Sequence, residues 1–148
     1  MSYRVLAPDD AHWRRSNQMG VLNTDLATQL EASTLGARLW RIGPGEAATR
    51  HRHVDQEELY VVLEGTGRIR VGDDLLTLAT GTALLVEPAS VRQPFNDGDA
   101  DALWLVVGAP PEPANTLEMS DRQLRWHYPD GPRALPPELA PATGSPGA

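Results

Sequence analysis

From Leu35 to Gly108 the chain is a succession of short apolar runs, each closed by Gly, Pro, Asn or Asp. ARLWRI ends at the turn GPGE, and EELYVVLE is closed by Gly65-Thr66-Gly67. RIRV alternates strictly, with Arg68 and Arg70 on one face and Ile69 and Val71 on the other. Gly72-Asp73-Asp74 is a hairpin signal. LLTLA, TALLVE, VRQPF and ALWLVVG follow in the same manner. Alternation at period two marks half-buried strands. Strands at spacings near ten residues, with turns between them, predict an all-β sandwich or barrel. No internal repeat is present.

The flanks read differently. Residues 1–33 form an N-terminal lead-in that reads either as extended chain lying along a sheet or as a short helix. In the helical reading Thr24 is the N-cap and Leu26 and Leu30 share a face. The barrel is expected over 34–109, a C-terminal arm over 110–139 and a disordered tail over 140–148. Trp126, Tyr128, Leu135 and Leu139 give the arm apolar groups that pack on the barrel or on a neighbouring subunit.

Composition excludes several chemistries. The 148 residues, enough for one domain with a real core, carry no cysteine, so thiolate ligands, disulfides and a cysteine nucleophile are ruled out. All 13 basic residues are arginine, which removes a lysine Schiff base or lysine general base. A net charge of −7 with scattered arginines argues against nucleic-acid partners and against attraction to anionic membranes. The start MSYRVLAPDD lacks a signal pattern, and LWLVVGAPP is too short to span a bilayer. A cytoplasmic location is the resulting expectation.

Two of the four histidines stand one residue apart in TRHRHVDQEELYVVLEG. On a strand, residues i and i+2 share a face, so His51 and His53 point the same way with Arg52 opposed. Two imidazoles at that spacing converge on one ion, and Glu58, opening the next strand, brings a carboxylate to the same point. Two histidines and one carboxylate form a facial arrangement that leaves coordination positions open. Tyr60 and Val62 share Glu58's face, and Tyr60 is the candidate pocket hydroxyl. Arg38, Trp40 and Ile42 share a face of their own strand. His12 and His127 fall outside the barrel pattern and are not expected as ligands.

The spacing Gly45, five residues, His51, one residue, His53, four residues, Glu58, six residues, Gly65 resembles the first signature of the cupin superfamily. With the strand pattern, the resemblance covers roughly residues 35–108 and implies a double-stranded β-helix (jelly-roll) barrel with the ligands inside. It implies that the two histidines and the glutamate bind a divalent metal, joined by a third histidine from a second signature. The corresponding stretch, GTALLVEPASVRQPFND, departs from that signature. Pro88 falls one residue late from Gly81, Ser90 takes a glycine position, Gln93 stands where the third histidine is expected, and Asn96 comes one residue early. Gln93 is therefore the candidate fourth ligand, a neutral and weaker one than imidazole. Alternation from an inward Gln93 turns Arg92 away from the site.

The expected function is a divalent-metal-binding cupin that acts on or binds a small organic molecule. The metal would be Fe, Mn, Ni or Zn, and the chemistry that of an oxygenase, isomerase or decarboxylase. The alternative is a non-catalytic small-ligand or sensor barrel, metal-free in one version. A homodimer is expected from the resemblance and from the aromatic arm.

Overall fold

The computed structural model describes residues 2–141; the expected tail falls almost wholly outside them. Among the described residues run nine strands: β1 (Trp13–Arg15), β2 (Leu22–Asp25), β3 (Gly36–Ile42), β4 (Glu57–Glu64), β5 (Gly67–Val71), β6 (Asp74–Leu78), β7 (Ala83–Val86), β8 (Arg92–Phe95) and β9 (Ala102–Ala109). Two short α-helices accompany them, α1 (Leu26–Gln29) and α2 (Asp121–His127), with 3-10 turns at Pro8–Asp10 and Thr116–Glu118. The strands form an antiparallel jelly-roll barrel of two sheets. One has the order β1-β2-β3-β9-β4-β7 and the other the order β6-β5-β8. No helix among the described residues is long and apolar enough to cross a membrane.

The lead-in contains both conformations considered for it. β1 and β2 extend the larger sheet, pairing Arg14 with Asn23 and Asn23 with Trp40. A single turn of helix follows, and its N-cap is Asp25 rather than Thr24. The Asp25 carboxylate accepts from the Thr28 backbone N–H at 2.9 Å, while Thr24 is still in the strand and wholly buried. A carboxylate serves a helix N-terminus better than a hydroxyl, because it meets both the free N–H groups and the dipole.

The core lies between the sheets. Ile42, Tyr60, Val62, Ile69, Val86, Trp104 and Val106 are buried there, each from the inward set of an alternating strand. Gly65 turns the chain out of β4 with φ at 74°, and a Cβ there would lie 2.4 Å from the Asp101 carbonyl oxygen. Only glycine satisfies both demands. The turn residues Gly72 and Asp73 join β5 to β6, with Val71 opposite Asp74.

The segment from Ala47 to His51 runs beside β8. Bridges join Ala47 to Phe95 and His51 to Arg92, and His51 and Arg92 exchange both backbone hydrogen bonds, at 3.0 and 2.8 Å. These bonds fix which way the residues of β8 face.

Candidate metal centre

His51, His53 and Glu58 are brought together in the lining of a cavity of about 620 Å³. Glu58 sits on the inward face of β4, and the two histidines come from the extended segment before it. Both imidazole Nε2 atoms lie 3.2 Å from the same carboxylate oxygen, Glu58 Oε1. The rings meet edge to face with centroids 4.9 Å apart.

The outer nitrogens are already engaged. His51 Nδ1 lies 2.8 Å from the Thr49 carbonyl. A carbonyl only accepts, so Nδ1 carries a hydrogen, and Nε2 is the nitrogen that faces Glu58. His53 Nδ1 lies 3.3 Å from Glu112 Oε1, and its Nε2 is buried with no hydrogen-bond partner. Two imidazole nitrogens thus converge on one carboxylate oxygen inside the cavity. The donor set therefore fits a divalent metal, with the outer hydrogen bonds that orient such ligands in place. Burial pushes the Glu58 carboxyl upward, but the adjacent His51 and His53 together outweigh it and hold the group well below the usual carboxylate range. Tyr60 donates its hydroxyl to the same Oε1 at 2.9 Å. Burial, then the Glu58 charge, pushes that phenol well above its ordinary value, so it remains a donor.

The second stretch behaves differently from its expectation. Gln93 is not brought to the histidines. Its amide nitrogen donates to the carbonyls of Ala48 at 2.9 Å and Ala134 at 2.8 Å, so it ties the C-terminal arm to the barrel. Arg92 is the inward residue, which corrects the orientation expected for it. Residues paired across an antiparallel bridge share a face, and His51 is paired with Arg92. Asn96 agrees, since counting back the family interval from it reaches Arg92 and not Gln93. The Arg92 side chain is 0% exposed. Its terminal nitrogens donate to the carbonyls of Glu87, Pro88 and Ser90 at 3.3, 3.1 and 2.8 Å. Its Nε lies at ion-pair distance from Glu58 Oε1, 3.4 Å, without making a hydrogen bond. A fixed cation thus occupies the place of a fourth ligand.

Glu112 and His127 also reach the site, and neither was anticipated. Glu112, just beyond β9, accepts from the backbone N–H groups of Val54, Asp55 and Gln56 at 3.1, 2.6 and 2.6 Å. Burial raises its pKa, but these three N–H groups and then His53 hold it below the ordinary value. His127 ends α2 with its ring 5.8 Å from His53 and its Nδ1 on the Arg52 carbonyl at 2.9 Å. Arg52, between the two site histidines, faces outward and lies 3.8 Å over the Trp126 ring, which anchors the end of α2. His53, Glu112 and His127 are near enough to form a second ligand group. Glu112, however, already accepts four hydrogen bonds, and its role is that of a clamp. The only cue in the sequence is the acid in the proline run PPEP.

Tyr60, Arg38, Trp40, Ile42 and Trp104 line the same cavity. Phe95 lies on the outer face, under Arg68.

Comparison with known proteins agrees with this architecture. Residues 38–108 match the family described as Cupin domain. No curated protein matches the sequence. A sugar phosphate isomerase from a cupin superfamily of Silicibacter pomeroyi is 25% identical, with a TM-score of 0.66 over 73% of this chain and 76% of that one. A predicted oxalate decarboxylase from Thermotoga maritima is 18% identical, with a TM-score of 0.64 over 73% of this chain and 100% of that one. KdgF from Halomonas sp. is 15% identical, with a TM-score of 0.65 over 75% and 96%. The family match, the jelly-roll barrel and these likenesses together show that residues 38–108 form a cupin domain.

Proposed function

We propose that this protein binds one divalent transition metal on His51, His53 and Glu58 and acts on a small organic molecule held in the cavity beside it. The observation that carries the reading is the convergence of two imidazole Nε2 atoms on one carboxylate oxygen, each 3.2 Å away, with both outer nitrogens already hydrogen-bonded. The bound metal, of the Fe, Mn, Ni or Zn type, would supply Lewis acidity or an oxygen-binding position, which suits isomerase, decarboxylase or oxygenase chemistry. The chain's own groups hold the site in shape. Thr49 and Glu112 fix the ring orientations, Tyr60 holds Glu58, and Trp40 and Trp104 make the cavity wall apolar. The volume suits a metabolite-sized ligand. The reading includes a homodimer in the cytoplasm.

Elemental analysis of the untagged protein beside a His51→Ala, His53→Ala double variant tests it. About one equivalent of a transition metal in the wild type and none in the variant is the expected result. No metal in the wild type after anaerobic reconstitution would overturn it.

One observation favours a second reading. The buried Arg92 guanidinium already balances the Glu58 charge. A barrel so balanced would hold its ligand without an ion, and the same analysis separates the two.

A further inference from the structure

The charges facing the cavity point to the class of molecule it takes. Among the described residues the charged side chains that line it are Arg14, Arg38, Asp25, Glu58 and Glu112, and Arg92 stands behind Glu58. With the histidines neutral, as metal ligation requires, the three cations and three anions cancel. A divalent ion then leaves two uncompensated positive charges in a partly enclosed space, in a protein whose net charge is −7. Such an excess is costly unless a ligand brings negative charge with it.

The placement of the arginines sharpens this. They follow the strand order of the larger sheet, with Arg14 on β1, Arg38 on β3 and Glu58 on β4. Arg92 is unavailable to a ligand, because its terminal nitrogens are tied to carbonyls. Arg38 is partly engaged, with Asp25 at 2.9 Å and Asn23 Oδ1 at 2.8 Å. Arg14 is the available cation. Among the described residues no carboxylate lies at ion-pair distance from it, and its one side-chain hydrogen bond goes to the neutral Asn17 at 2.8 Å. Gln18, Thr28 and Thr116 line the cavity with it and offer neutral partners suited to hydroxyl groups.

We propose that the ligand is a small hydroxylated oxyacid, a carboxylate or phosphate monoester, with its anionic group on the Arg14–Arg38 side and its hydroxyl oxygens toward His51, His53 and Glu58. The proposal rests on the metal reading above and names the substrate class for that site. A guanidinium recognises either oxyanion through paired N–H donors.

Three probes with one skeleton test it: glycerol 3-phosphate, glycerate and glycerol, titrated calorimetrically and by thermal melting into the protein as isolated and after metal reconstitution. At least one anion is expected to bind saturably and raise the melting temperature, with glycerol inert. Whichever anion binds identifies the phosphate or the carboxylate as the recognised group. Arg14→Gln, an exposed position outside the core, is expected to weaken that anion tenfold or more while metal content stays at the wild-type level. Binding of glycerol as tight as that of the anions, binding of neither anion, or full anion affinity in Arg14→Gln would overturn the proposal. Metal content in the same samples keeps the two failures apart. Metal-free protein that binds an anion through Arg14 defeats the metal reading alone. Metal-loaded protein indifferent to both anions defeats the ligand class alone.

Discussion

Arg92 and Glu112 decide how the candidate centre behaves, and each leads to a prediction. Arg92 holds a positive charge where a fourth ligand would stand, so a metal bound there would be repelled by a neighbour at 3.4 Å from its own carboxylate. Arg92→His removes that charge and places an imidazole on the same inward face as His51. Metal affinity, measured by competition with a chromophoric chelator, is expected to rise at least tenfold. Melting temperature is expected to fall, because the carbonyls of Glu87, Pro88 and Ser90 lose their donors. Unchanged or weaker metal affinity would show that Arg92 does not limit the site. Glu112 acts from outside the barrel: three backbone N–H groups hold it, and it in turn holds His53 Nδ1. Glu112→Gln keeps one acceptor oxygen and loses the charge that orients the ring. Metal affinity is expected to drop about 10- to 100-fold, the usual effect of removing an outer partner. A structural role alone would lower the melting temperature and leave the affinity where it was.

Among the elements, the C-terminal arm is fastened by a few polar contacts to the outer face of the smaller sheet. Arg70 pairs with Glu138, Arg50 with Asp130 at 2.7 Å, and Gln93 holds the Ala134 carbonyl. The hydrogen bond from Arg70, against a smaller opposing effect of burial, lowers the Glu138 pKa from its ordinary value of 4.5. A depressed carboxylate stabilises the docked arm above the unfolded value and loses that contribution as pH falls through the folded one. Acid below about pH 4.5 is therefore expected to release the arm before the barrel melts, seen as loss of amide-exchange protection, relative to the intrinsic rate at each pH, over 129–141. Glu138→Gln should give the released pattern at neutral pH. Protection there that does not change with acid would refute the clamp. The same strands show what the sequence makes legible. β3, β4 and β5 alternate against one core, so their inward sets, and with them His51, His53, Glu58 and Tyr60, follow from periodicity. β8 is buried on both faces, under the arm outside and over the core inside, so all four of its residues are buried and alternation carries no sign. Its facing is set by the bridge to His51, a pairing across 41 positions that no local pattern reveals. Glu112 and His127 were hidden for a related reason. They arrive by the return of a chain segment whose own composition reads as linker and arm.

For the whole molecule, the outer face of the larger sheet calls for an explanation. Cross-strand register lines up Leu85, Leu59, Val107 and Ala37 in one row and Ala83, Val61, Leu105 and Leu39 in the next. Leu59, Leu63 and Leu85 are 38%, 40% and 57% exposed. An antiparallel sheet with one solvated face ordinarily alternates apolar with polar, yet here both faces are apolar over four strands. Contiguous apolar patches of this kind are rarely left open to water. A second copy is the occupant that needs no further partner, because a two-fold axis lays the same rows on themselves. Arg41 with Glu64 and Asp101 gives that face a charged border. The wild type is expected to run at twice the chain mass in multi-angle light scattering. A Leu59→Glu, Leu85→Glu double variant should run at the chain mass, since two carboxylates cannot be buried against their own images. Both side chains point away from the cavity, so metal content per chain should be the same in the two forms. A wild type that remains monomeric at tens of micromolar, or a double variant that still dimerises, would move the interface elsewhere. A double variant that loses its metal would mean that the outer face and the centre are coupled through β4, whose residues alternate between them.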